Sequence, residues 1–191
     1  MNRIDRRKLQ VRERILSSAF DLFLTQGVEA TTIEDICERA DVANRTFFNH
    51  FATRQDMVRA LAEKRLLDLR EVLEDRSDDP VPARLIGLFD DIAAVLTESG
   101  DTYREMIGAM LSVTGAGVRR GYGLHETFLE LVKDGVSRGE VSRKHDPHTL
   151  ADIIVGALVG GVVNWTVDRT YSLHSGLHDL AVALADLLQT K

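Results

Sequence analysis

Apolar residues recur at helical spacing along nearly the whole chain. Between Arg6 and Gln26, Val11, Ile15, Ala19, Leu22 and Phe23 share one helix face, and Gly27 supplies a C-terminal stop. In the next stretch, TTIEDICERA, Thr32 precedes Asp35 by three residues, the spacing of a reciprocal cap. Ile33, Ile36, Cys37 and Ala40 then fall on one face, which predicts a short second helix. Asp41-Val42 leaves room only for a tight turn. A third short helix follows from about Asn44 to His50, with Phe47 and Phe51 four residues apart and facing inward. This is helix-turn-helix spacing. Thr53, with Asp56 at its third position, caps a fourth helix expected to run to about Asp75.

The segment RSDDPVP, residues 76–82, gathers charge and two of the three prolines, and it reads as a hinge. The expected division is a DNA-binding unit over 1–53, a connecting helix over 54–76 and a second domain over 77–191. Beyond the hinge the pattern predicts helices at about 83–98, 102–113, 124–138, 147–168 and 176–189, with no alternating run that would make a sheet. The fold class is all-α, about nine helices in total. The glycines of TGAGVRRGYG, residues 114–123, read as a mobile connection, and Gly115-Ala-Gly117, following no strand, as a loop rather than a phosphate cradle.

Composition adds compartment and polarity to this outline. The chain is 44% hydrophobic, enough for a sizeable core. A single cysteine, Cys37, excludes an intrachain disulfide and points to the reducing cytoplasm. The start, MNRIDRRKLQ, lacks the apolar run of a secretory signal. The longest apolar run, Ile153–Val163, holds eleven residues, whereas crossing a bilayer takes about 20. The net charge of −6 argues weakly against a polyanion partner, but its distribution is uneven. Residues 1–65 carry 12 Lys+Arg and 10 Asp+Glu, leaving 12 and 20 in the remainder. Any contact with nucleic acid belongs to the N-terminal third.

The third helix carries the chemistry for such a contact. Each residue advances about 100° around a helix, so with Phe47 inward, Arg45 and Asn49 point outward. Arg can donate twice to guanine O6 and N7, and Asn can pair with adenine N6 and N7, each pair worth about 1–3 kcal/mol of discrimination. Asn44, Thr46 and His50 lie toward the sides, where phosphates run. Thr31 and Thr32 open the second helix, whose free N–H groups suit another phosphate.

At these residues the sequence resembles the TetR/AcrR family of bacterial transcriptional repressors. Residues 10 to about 65 follow that family's DNA-binding domain in order and spacing: RERIL…AF.LF…G in the first helix, TTIEDI in the second, and ADVANRTFFNHFATRQDM across the recognition helix into the fourth. The resemblance implies backbone contacts from Thr32, Thr46, Phe48, His50 and Arg54 and a base-reading surface of Asn44, Arg45 and Asn49. The sequence departs from the family pattern at four positions. Phe48 stands where Tyr is usual and has no hydroxyl for phosphate, Arg45 replaces a commonly small residue, Arg54 replaces Lys, and Asp41 stands in the turn where Gly is common.

In the second domain, Asp146-Pro147 is a cap followed by proline at the first helical position, and Ser175 is the expected cap of the last helix. The last two helices carry broad apolar stripes, from which Ile154, Ala157, Leu158, Gly161, Leu177, Leu180 and Leu184 are the expected homodimer face. The glycines Gly156, Gly160 and Gly161 would let two backbones approach closely. Phe89, Ile92, Tyr103, Met106, Met110, Phe128 and Trp165 are the candidate lining of a small-molecule pocket; the alternative for each is ordinary core. His145/His148 and His174/His178 have ligand spacing but no completing Cys or carboxylate, so neither metal nor cofactor is expected. The basic residues Arg3, Arg6, Arg7 and Lys8 form either an arm toward DNA or a solvated tail.

The function expected from all of this is a homodimeric repressor released from a pseudo-palindromic operator by a small-molecule effector, with no enzymatic activity and no membrane partner. The competing readings are a helical protein-interaction adaptor and a small helical enzyme, for which no nucleophile elbow, metal signature or cofactor fingerprint is present.

Overall fold

The computed structural model describes residues 2–62, 64, 78–114 and 123–189. Among these, nine helices form and no strand does: α1 (Arg3–Gln26), α2 (Ile33–Arg39), α3 (Asn44–His50), α4 (54–62), α5 (Val81–Glu98), α6 (Gly100–Thr114), α7 (Leu124–Arg138), α8 (Pro147–Val167) and α9 (Leu173–Leu188). The expected run of α4 to Asp75, the start of the hinge, and most of the glycine-rich connection (115–122) lie outside the described residues.

Local chemistry fixes the N-terminal helices where the pattern placed them. Gly27 adopts a φ of 89° after α1, a left-handed turn that glycine takes without steric cost. At α2 the reciprocal cap is complete: the Asp35 N–H donates to the Thr32 hydroxyl and the Thr32 N–H donates to the Asp35 carboxylate at 2.9 Å. These bonds hold the Asp35 carboxyl below its usual range. Thr53 and Asp56 make the same exchange at the start of α4. Asp41 takes φ 51° in the α2–α3 turn, a backbone region that Asp tolerates better than most residues.

Two apolar cores result. The first joins Ile15, Ala19, Phe23, Ile36, Phe47, Phe51, Met57 and Leu61 from α1–α4. The second is built from α5, α7, α8 and α9, with α9 against α5 and α8 between α7 and α9. An isolated bridge between Val141 and Gln189, with the Ser142 N–H donating to the Leu188 carbonyl at 2.8 Å, ties the chain end to the α7–α8 loop.

α6 belongs to both cores. It packs on α1 and on α8, and its Tyr103 and Ile107 touch both clusters. Tyr103 meets Phe20 of α1 edge to face at 6.2 Å. α6 is also clamped to the end of α8, where Arg104 donates to the Asp168 carbonyl at 2.8 Å with its guanidinium 5.1 Å from the Trp165 ring.

The last helix begins earlier than expected. Ser172, not Ser175, is the N-cap residue, because Leu173 and Leu177 are both buried and extend the inner face by a turn. α8 starts as expected, with the Thr149 N–H donating to Asp146 at 3.1 Å and Pro147 at the first helical position. α8 is long and apolar enough to cross a membrane by length and composition, but half of its apolar window is buried inside this fold.

Candidate nucleic-acid interface

Phe47 anchors α3. It is fully buried, with its ring 5.6 Å from that of Phe51 and edge to face with Phe48. With that side fixed, Asn44, Arg45 and Asn49 are exposed, and Thr46 and His50 are half-buried at the flanks. Arg45 and Asn49, four residues apart, stand one above the other on the outer face. Phe48 is 52% exposed, an aromatic ring left on the surface next to the outward Asn49. Such a ring can press on sugar or on a thymine methyl.

Thr32 is exposed with its hydroxyl oxygen already accepting from Asp35. Thr31 is turned the other way. It is buried, its hydroxyl donates to the Gly27 carbonyl at 2.7 Å, and it accepts from Gln26. Closing the α1–α2 loop consumes Thr31, which corrects the expectation that it faces phosphate.

Arg54 is half-buried, and its Nη2 donates to the carbonyls of Val28 at 2.6 Å and Thr31 at 3.4 Å, with the guanidinium 5.5 Å from the Phe23 ring. It therefore braces the loop that presents Thr32. Arg12 has a place in this interface that the sequence pattern did not assign. It lies 4.4 Å from the Phe51 ring centroid and donates to the His50 carbonyl at 3.4 Å. Burial, then Arg12, then Lys8 hold the His50 imidazole below its ordinary pKa. The available signal was Arg12 on the same helical face as Ile15 and Ala19, a cation on an apolar stripe.

In the second domain the seven pocket candidates separate. Phe89, Ile92, Phe128 and Trp165 lie in the C-terminal core, whereas Met106 and Met110 are buried in the N-terminal one. The face of α6 that carries the two methionines meets α1, so they close the DNA-binding unit and do not join the other five; Tyr103 sits between the two groups. The fully buried His125, 3.3 Å from Asp152 and stacked on His148 at 5.7 Å, is a polar group in the C-terminal core that periodicity did not single out. His178 engages Asp90 at 3.0 Å. Among the described residues no three His, Cys, Asp or Glu side chains are grouped to hold a metal ion. Cys37 is buried, and burial followed by Glu34 pushes its thiol pKa up.

The expected dimer residues are also redistributed. Ile154, Leu158, Gly161, Leu177 and Leu184 are buried within the chain itself, and Ala157 and Leu180 are half-buried. A methyl group on Gly161 would stand 2.5 Å from Leu177 Cδ2, so that glycine serves α8–α9 contact inside one chain. The outward residues of these helices include Ile153, Gly156, Gly160 and Val167 on α8 and Val182 and Leu187 on α9.

Residues 15–61, which span α1 through α4, match the family described as bacterial regulatory proteins, tetR family. The chain carries the DNA-binding domain of the TetR family. It is a DNA-binding transcriptional regulator of helix-turn-helix type. Its head is 46% identical over 52 residues to the HTH-type transcriptional regulator TcmR of Streptomyces glaucescens, a match covering 27% of this chain and 23% of that protein. Over most of its length it is 26% identical to the repressor BepR of Brucella suis, covering 86% of this chain and 84% of BepR. Among solved structures, the fold is shared with Thermus thermophilus FadR, a TetR family repressor in complex with lauroyl-CoA, at TM-score 0.73 and 18% identity over 94% of this chain and 96% of that one. It is likewise shared with RolR in complex with resorcinol, at TM-score 0.73 and 19% identity over 96% and 90% of the two chains. TcmR, BepR and FadR are all regulators.

Proposed function

We propose that this TetR-family regulator is a cytoplasmic homodimeric repressor that binds a pseudo-palindromic operator through α3 and leaves it when a small molecule enters the C-terminal core. The observation that carries this reading is the outward set Asn44, Arg45 and Asn49 on a helix anchored by buried Phe47. Arg45 reads guanine and Asn49 reads adenine in the major groove. Thr32, Thr46, Phe48 and His50 rest against the backbone, and Arg54 holds the loop that carries Thr32. The two heads of a two-fold dimer would meet half-sites about 34–36 Å apart.

The dimer face is the outward stripe of α8 and α9, Ile153, Gly156, Gly160, Val182 and Leu187. A methyl group at Gly156 or Gly160 would meet nothing within 4 Å in the chain. Gly in a helix interior costs about 0.8–1.0 kcal/mol relative to Ala, so these two positions answer to something outside the chain, which a facing copy of α8 supplies.

The effector is a largely apolar or aromatic molecule held near Phe89, Ile92, Tyr103, Phe128 and Trp165. FadR and RolR, with lauroyl-CoA and resorcinol, support that class. Because α6 packs on both cores, a ligand that displaces it tilts the head, and effector and operator become antagonists. By linkage, an effector that weakens operator binding by some factor itself binds the DNA-bound dimer more weakly by that factor, typically about 5–150-fold.

Selection of bound fragments from random duplexes tests the reading directly. A two-fold symmetric consensus is expected, and Arg45→Ala should relax one guanine per half-site at a cost of about 1–3 kcal/mol. Recovery of no consensus, or uniform weakening on all sequences by Arg45→Ala, would remove α3 from base reading.

A further inference from the structure

α1 is longer than the DNA-binding unit needs. Its first fully buried residue is Ile15, yet the helix starts at Arg3, and every side chain described over residues 3–10 is exposed. This overhang is an ordered helix, not a loose tail: the Asn2 side chain accepts from the Asp5 N–H at 2.9 Å and the Asn2 carbonyl accepts from the Arg6 N–H at 3.2 Å. It extends about 12 Å at 1.5 Å per residue.

Its composition is wrong for a free-standing helix start. Arg3, Arg6, Arg7 and Lys8 face a single acid, Asp5, and the four cations make no ion pair among the described residues. Cations at the first turns oppose the positive end of the helix dipole. Arg3 with Arg6 and Arg3 with Arg7 are like charges at three- and four-residue spacing, which repel. Local folding is therefore slightly penalised by this segment, and an external anion would relieve the penalty.

The position of the overhang identifies the anion. Lys8 is close enough to the end of the recognition helix to depress the His50 imidazole, and Arg12, one turn further along, bonds the His50 carbonyl. The charged turns thus project from the side of the head on which α3 ends. We propose that Arg3, Arg6 and Arg7 are a second DNA contact, seated on phosphates that flank the major groove entered by α3. The inference rests on α3 binding DNA as described above. It adds affinity without adding sequence information, since phosphates carry none.

The test uses the full chain and a duplex selected by the wild-type protein from a random library, with affinity measured by fluorescence anisotropy across a series of salt concentrations. Arg3→Gln/Arg6→Gln/Arg7→Gln should flatten the slope of log K against log salt by about 0.9 for each phosphate no longer neutralised, or about 2–3 for each head bound. The selected consensus should stay the same, and the thermal unfolding midpoint should not fall, because all three side chains are exposed. The charge-conserving Arg3→Lys/Arg6→Lys/Arg7→Lys variant should retain most of the slope. An unchanged slope in the glutamine variant, with wild-type binding intact, overturns this inference alone. A changed preference at bases flanking the consensus overturns the phosphate assignment in favour of groove reading. Failure of the wild-type chain to bind any duplex overturns both this inference and the reading of α3.

Discussion

Glycine substitution along α8 separates packing inside the chain from packing between chains. Gly156 and Gly160 have open space where a side chain would begin, whereas a methyl on Gly161 would stand 2.5 Å from Leu177 Cδ2 and 3.3 Å from Leu180 Cδ1. Gly156→Ala/Gly160→Ala should therefore stabilise the isolated chain by about 0.8–1.0 kcal/mol at each position through helix propensity. At the proposed dimer face the same methyls enter a space filled by the partner helix, where overpacking costs about 1–3 kcal/mol. The dimer dissociation constant should then rise at least tenfold, the equivalent of about 1.4 kcal/mol. Gly161→Ala behaves in the opposite way. Leu177 is fully buried and has little room to yield, so an overpacking cost of about 1–3 kcal/mol exceeds or cancels the propensity gain. Urea unfolding at several protein concentrations, paired with sedimentation equilibrium, resolves the two effects. If the double alanine variant stabilises the chain and leaves association unchanged, the outward stripe of α8 faces solvent and the dimer forms elsewhere.

Three further outcomes follow from the head and its seam. Arg54→Ala should lower the unfolding free energy by about 1.5–3 kcal/mol by removing charge-assisted bonds to the Val28 and Thr31 carbonyls; an unchanged denaturation midpoint, with operator affinity reduced, would return Arg54 to phosphate binding alone. His50 should titrate below the ordinary histidine value of 6.5 in a proton NMR titration, because burial and the Arg12 and Lys8 cations favour its neutral form. The unfolded chain then binds the His50 proton more readily, so this contribution to stability is complete above about pH 6.5 and declines as pH falls toward the lower folded value. Titration of His50 at or above 6.5 would refute the assignment. Met106→Ala should cost about 2–5 kcal/mol, as for other buried large-to-small changes. It should also loosen α1 in amide exchange, and an effect confined to α5 and α7 would contradict its place in the N-terminal core.

The N-terminal helices were legible because short-range chemistry sets them. Thr32 with Asp35, Thr53 with Asp56, Gly27 as the stop and the Phe47–Phe51 spacing each specify a backbone state within a few residues, and α3 formed over the expected span, Asn44–His50. The outer face of α8 was not legible. Its apolar residues run around most of the helix, so spacing carries no phase, and Ile154, Leu158 and Gly161 were as eligible for the surface as Ile153, Gly156 and Gly160. Met106 and Met110 failed for a different reason: nothing within α6 tells which of two cores its faces meet. Thr31 and Thr32 differ only in direction, and that is set by the loop that Gly27 turns and Arg54 braces.

The pair of methionines from α6 gives the molecule an evolutionary constraint. Among the described residues, the other fully buried members of the core that Met106 and Met110 join all lie before residue 63, so the head is sealed by side chains encoded about forty residues downstream, in the second domain. A head cut off at residue 62 would leave a hole where those two side chains sit. A head transplanted onto another effector domain would inherit a stranger's seal. If α3 reads the operator as proposed, new specificities can accumulate on its outer face, where nothing behind them changes. New pairings of head and effector domain, by contrast, require α1 and α6 to change together, so recombination between related regulators should succeed at breakpoints that carry α6 along with the head's own core.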